Sequence, residues 1–311
     1  MTATSIQRRT PLNPTVMIGQ FAVLMLIVAV LYRHVLTGLV YSWKNNSDWS
    51  HGFIIPFFSL YFLYTQRHRF PATLRNRNAL PQLAGAALLV LSFGLFIASI
   101  FYKMEYPKRC SLLLSMLAVI LMVWGWPVFR WSWFAVAFLM FAVPLPHRVF
   151  QELTMPLRGV AAVVSAMVLQ FIPDMFAEAH GTVVEYIYRG QADVLDVERA
   201  CSGMRLLMTM MALGVAMAFM HDRPLWQRLV MVLSCVPIAI FCNVVRVTLT
   251  GLLVVFGRAD LAHGTWHTLM GLGMLFVAFA LYGAISYVLN HLFVEEAEAD
   301  ESVAATGGLG G

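Results

Sequence analysis

The sequence predicts an all-α polytopic membrane protein of about eight transmembrane helices, with a small hairpin on the outer face and one interfacial helix. Three observations predict it. Of 311 residues, 60% are hydrophobic and 12% are charged, against about 45–50% and about 25% in a soluble domain. The apolar residues gather into runs near twenty residues, about the length that crosses roughly 30 Å of hydrocarbon. The 22 Phe, 10 Tyr and 8 Trp suit the aromatic belts of the two membrane interfaces. An ordinary soluble globule is excluded, and so is a disordered chain, which needs low hydrophobicity.

The elements follow in order. Residues 1–15 are polar, carry Arg8 and Arg9, and read as a cytoplasmic segment. The long apolar run behind them fits an uncleaved first span better than a secretory signal. Spans are expected near 16–36, 50–65, 80–102, 110–126, 131–146, 203–220, 229–256 and 268–293, within one membrane domain of residues 16–293. Arg8 and Arg9, with Arg67, Arg69, Arg75 and Arg77, set against Lys44 in the first opposite loop, place the N-terminus in the cytoplasm. Residues 156–172 are apolar but short and bracketed by Pro156, Arg158 and Pro173, which reads as an interfacial or re-entrant helix. The 181–200 stretch alternates β-branched and polar residues around Arg189-Gly190, a hairpin signal. Open strands cannot exist in hydrocarbon, so the hairpin belongs outside it. The acidic, Gly-rich tail 294–311 has the composition of disorder.

The net charge of +5 comes from 21 Lys and Arg against 16 Asp and Glu, with the basic residues scattered over short loops. No basic face on a soluble module results, so nucleic acid is not an expected partner. The lipid bilayer is one. Four cysteines, at 110, 201, 235 and 242, are too few for a disulfide framework.

With this topology three reactive groups converge on the outer side. Cys201, followed by Ser202 and Gly203, stands where the hairpin runs into the sixth span. The free N–H groups at a helix start favour a thiolate; the plainer alternative is a small packed thiol. Arg246 lies deep in the seventh span, where a charge costs at least about 2.5–3.5 kcal/mol and faces the bundle interior. Asn243 shares its face three residues earlier, and Arg205 lies one turn past Cys201. A structural Arg paired with carbonyls or an acid is the alternative. His267 stands at the start of the eighth span, where a capping role is the alternative. His263 and His267 have the spacing of a metal pair, with Asp260 one turn earlier. Gly264 between them and the absence of an HExxH pattern argue against it, so neither a metal nor another cofactor is expected. Cys235 and Cys242 read as packing residues. Together, Cys, His and Arg can run acyl transfer: His takes the thiol proton, Cys attacks a peptide carbonyl, and Arg steadies the oxyanion.

At these residues the chain resembles the exosortase branch of the exosortase/archaeosortase family. ACSGMR (200–205) resembles the nucleophile motif, NVVRVTLTG (243–251) the arginine motif and WHTLMG (266–271) the histidine motif. DWSHGFIIP (48–56) resembles the first outer loop and FAVPLPHRVFQELTMPLRGVAA (141–162) the central segment, so that the resemblance spans roughly 48–283. It implies a transpeptidase of the bacterial inner membrane with its site facing the periplasm. Its partners would be exported proteins whose C-termini carry a motif such as Pro-Glu-Pro, then a transmembrane helix, then a basic cluster. Cys201 would be the acyl-thioester nucleophile, Arg246 the proton donor or transition-state stabiliser and His267 the third member. Asp222 and the acidic tail could face the basic cluster. Two other readings stay open: a transporter with Arg246 on its path, and a non-catalytic subunit of an exopolysaccharide export system. A transporter would be expected to show internal repeats, and none is evident.

Overall fold

The computed structural model describes residues 14–71, 79–197, 203–220, 224–257 and 264–292. The chain divides into two compact units, Met1–Phe150 and Gln151–Gly311. Among the described residues, five helices are long and apolar enough to cross a membrane, or six if one bent pair counts as a single span.

The first unit opens with that pair, α1 (Pro14–Leu31) and α2 (Arg33–Asn45), bent by 68° at Tyr32. The bend is pinned from within. Tyr32 is fully buried, and its hydroxyl lies 3.4 Å from Ser92 Oγ and accepts from Ser115 Oγ at 3.2 Å. Ser92 Oγ in turn donates to the Ser111 carbonyl at 2.6 Å and sits 2.7 Å from Ser115 Oγ. Hydroxyls placed among apolar helices must find one another in this way, because no water is available to them.

A 3₁₀ segment, Ser47–Phe53, precedes α3 (Ile55–Thr65), and α4 (Ala79–Phe101) and α5 (Glu105–Phe138) follow. Inside α5, Gly125 has φ 77° and ψ −171°, a backbone conformation that costs only glycine nothing. The Tyr106 hydroxyl lies 3.7 Å from Met140 Sδ, and Cys110 Sγ 3.8 Å from the same sulfur. A straight helix would hold residues 30 apart about 45 Å from each other. The chain therefore doubles back at Gly125, with Pro127 starting the return.

Among the described residues, length and apolarity give five or six candidate spans against the expected eight. The α3 helix has only 11 residues. The helix α7 (Gly203–Met220) has 18 residues, at the short end of what a crossing needs. Segments 110–126 and 131–146 are the two limbs of the turned-back α5, which counts once by length although two spans are expected there. The interfacial reading of 156–172 is corrected in length: α6 spans His147–Leu169, 23 residues, enough to cross. Pro156 lies inside this helix instead of marking its start.

In the second unit, a three-stranded antiparallel meander follows α6: β1 (Met175–His180), β2 (Val183–Tyr188) and β3 (Gln191–Asp196), in that spatial order. Strands β2 and β3 meet at Arg189 (φ 49°) and Gly190 (φ 81°), the left-handed pair of a two-residue hairpin turn. β1 pairs on the far side of β2, from Met175↔Tyr188 to His180↔Val183. The inner face of the sheet packs Ala177, Val184, Tyr186 and Leu195 onto Ala161, Ala162, Ala166 and Leu169 of α6 and onto Val247.

Val247 belongs to α8 (Leu225–Val255), which is followed by α9 (Gly264–Leu292). The earlier half of α8 packs elsewhere: Met231, Cys235, Ile238 and Cys242 meet Met210 of α7 and Ala278 and Tyr282 of α9. Gly214 makes this approach possible, since a Cβ there would stand 2.6 Å from Cys235 Sγ and 3.2 Å from the Tyr282 hydroxyl.

Candidate functional site

The two halves of α8 bind different neighbours, and Arg246 sits where they meet. It is 4% exposed, about two and a half turns before the helix ends. Its Nη1 lies 3.8 Å from where a Cβ on Gly271 would stand. Gly271 is one helical turn past His267 on α9, so the guanidinium reaches the backbone of the helix that carries this histidine. The contacts at Gly214 join Cys235 to Tyr282 in the same way, and the paired numbers run in opposite directions along α8 and α9. The two helices are antiparallel, which sets Arg246 one turn deeper than His267.

Three buried polar residues, Asn243, Arg246 and Thr250, fall at i, i+3 and i+7 on one face of α8. The Thr250 hydroxyl donates to the Arg246 carbonyl at 2.9 Å. Asn243 is 5% exposed, and its Oδ1 has no hydrogen-bond partner among the described residues. A buried amide oxygen left unpaired costs about 1–3 kcal/mol, so this column carries polarity that packing alone does not use. On the adjoining face, Thr248 Oγ1 donates to Ser165 Oγ of α6 at 3.1 Å. Sequence reading missed Thr250; its signal was a hydroxyl on the same face as a membrane-embedded arginine.

Cys201 and Ser202 lie outside the described residues, as do His263, Asp260, Asp222 and the tail. Arg205 is on the first turn of α7 and His267 on the first turn of α9, with side chains outside the description. Of the three residues expected to be catalytic, the structure therefore describes the Arg246 side chain and the helix bearing His267.

In the first unit, the residues resembling the family's outer loop are clamped to those of its central segment. His51 is buried, with Nε2 3.2 Å from the Phe141 carbonyl and its ring tilted 5.7 Å from Trp49. Trp43 Nε1 donates to the Ala142 carbonyl at 2.7 Å. Gly52 lies against that indole so closely that a Cβ would stand 2.3 Å from Trp43 Nε1.

Among known proteins, one family model, described as transmembrane exosortase, matches residues 43–284. No curated protein and no solved structure matches the chain.

Proposed function

Because the chain belongs to the transmembrane exosortase family, we propose that it is a cysteine endopeptidase and transpeptidase of the bacterial inner membrane. It cleaves C-terminal sorting signals of exported proteins, a Pro-Glu-Pro-like motif ahead of a transmembrane helix and a basic cluster, at the periplasmic face. The observation that carries this reading is the buried Arg246 guanidinium held against α9 one turn from His267. A permanent cation held there, out of water, is suited to charge that develops during a reaction.

In the proposed step His267 accepts the Cys201 proton and the thiolate adds to the peptide carbonyl. Arg246 donates to the resulting oxyanion. Collapse breaks the C–N bond, the amine leaves with the proton from His267, and an acyl thioester remains on Cys201. An acceptor nucleophile then takes the acyl group and the thiol is restored. Ser202, Arg205 and Asn243 support the site, and the step calls on no metal or cofactor.

Processing of a tagged substrate tests this. Cys201→Ala should abolish cleavage, while Cys201→Ser keeps at most a trace and the wild type yields a trappable Cys201 adduct. Full cleavage by Cys201→Ala would end the cysteine mechanism.

A further inference from the structure

The sheet buries one face against α6 and α8 and leaves the other open, and the open face is divided along its length. Near the β2–β3 turn, Phe176 and Ile187 stand directly opposite each other, 58% and 46% exposed. Val194, 56% exposed, is the diagonal neighbour of Ile187. Toward the β1–β2 turn the same face is charged and mostly acidic: Glu178 stands opposite Glu185, with His180 Nε2 3.9 Å from the Glu178 carboxylate, and Asp196 follows on β3. Like charges in direct opposition are unfavourable unless water screens them, so this end belongs in water.

The apolar end is not an isolated patch. The exposed side of α6, with Val164, Met167 and Val168, runs off the helix into Phe171, which is 87% exposed. The tight turn that follows returns the chain to β1, with Met175 N donating to the Ile172 carbonyl at 3.3 Å. At the neighbouring turn, the Arg189 guanidinium lies 5.1 Å over the Tyr188 ring. Exposed aromatic and aliphatic side chains beside an arginine stacked on a tyrosine have the composition of a membrane interface. We infer that the β2–β3 end of the sheet rests in the bilayer interface, with Phe176 and Ile187 at the acyl boundary and Arg189 on lipid phosphates. The open backbone of the sheet and the exposed Asp174 beside Arg189 limit its depth to the headgroup level. The acidic end then stands clear of the lipid. This contact is independent of the chemistry proposed above.

An environment-sensitive fluorophore, encoded as an unnatural residue at position 176, 187, 178 or 185, tests the inference without disturbing the inner face. The full chain is placed in nanodiscs of phosphatidylcholine and phosphatidylglycerol. Probes at 176 and 187 should lose emission to lipids brominated near the glycerol end of the acyl chain and resist aqueous iodide. Probes at 178 and 185 should do the reverse. Probes at 176 and 187 as open to iodide as that at 185 would overturn the inference. So would probes shielded from both quenchers, which would mean that protein covers the patch. Arg189→Gln should weaken bromolipid quenching at 176 in anionic discs, and unchanged quenching would remove the phosphate contact.

Discussion

Two groups of buried polar side chains lie within the apolar helices, and they are built on opposite terms. Tyr32, Ser92, Ser111 and Ser115 are neutral, and the Tyr32, Ser92 and Ser115 hydroxyls contact one another at 2.7–3.4 Å. Asn243, Arg246 and Thr250 include a permanent charge and an amide oxygen without a partner among the described residues. The first group closes on itself and holds a bend. The second leaves hydrogen-bonding capacity over, in a setting where unused capacity is costly. Polarity that closes on itself holds helices together, while polarity left over is available to the proposed chemistry.

That contrast can be broken most decisively at Arg246. Arg246→Lys keeps the charge but loses the planar fork, and substrate processing should fall by about 10²–10³ as for one oxyanion donor. Near-wild-type processing would reduce Arg246 to a structural charge. His267→Ala should also cut processing, and raising the pH should recover part of it, because the thiolate then forms unaided. A loss equally deep at every pH would remove the base role.

Asn243→Leu sharpens the comparison, since an apolar group of similar shape replaces an unsatisfied one. Stability in detergent titration should stay within about 0.5 kcal/mol while processing drops. Ser92→Ala should behave the other way round. Processing should persist, and stability should fall by about 0.6 kcal/mol for each interhelical hydrogen bond lost.

The smallest effect is expected in the sheet. Burial, then the charge and hydrogen bond of Asp193, whose Oδ2 accepts from the Tyr186 hydroxyl at 3.2 Å, push the Tyr186 phenol up to about 12. A raised folded value means a contribution that is complete below the ordinary tyrosine value of 10.0 and lost as pH climbs toward 12. Phenolate absorbance should show a late-titrating tyrosine that Asp193→Asn brings forward.

The sequence made part of this legible. Arg246 stood out because a charge inside an apolar run has few bland explanations. Its neighbour Gly271 did not, because a residue without a side chain leaves no chemical signal of what approaches it. The start of α6 is not legible, because Pro156 reads as a boundary while a membrane helix tolerates a proline inside it. β1 leaves little trace in the sequence, because Ala177 and Ala179 in MFAEAH give its alternation little contrast. Among the described residues, length and apolarity give five or six candidate spans against the expected eight, because a turned-back element such as α5 counts once and α3 has only 11 residues.

The bare backbone at Gly271 has a practical consequence for mutagenesis. At 3.8 Å from Arg246 Nη1, an added methyl makes an ordinary van der Waals contact, so an alanine scan would pass over this position in silence. A branched residue would not fit so quietly, because its outer carbons would occupy the space the guanidinium fills. Gly271 thus borders the buried cation at a position that the commonest scanning experiment is poorly able to see.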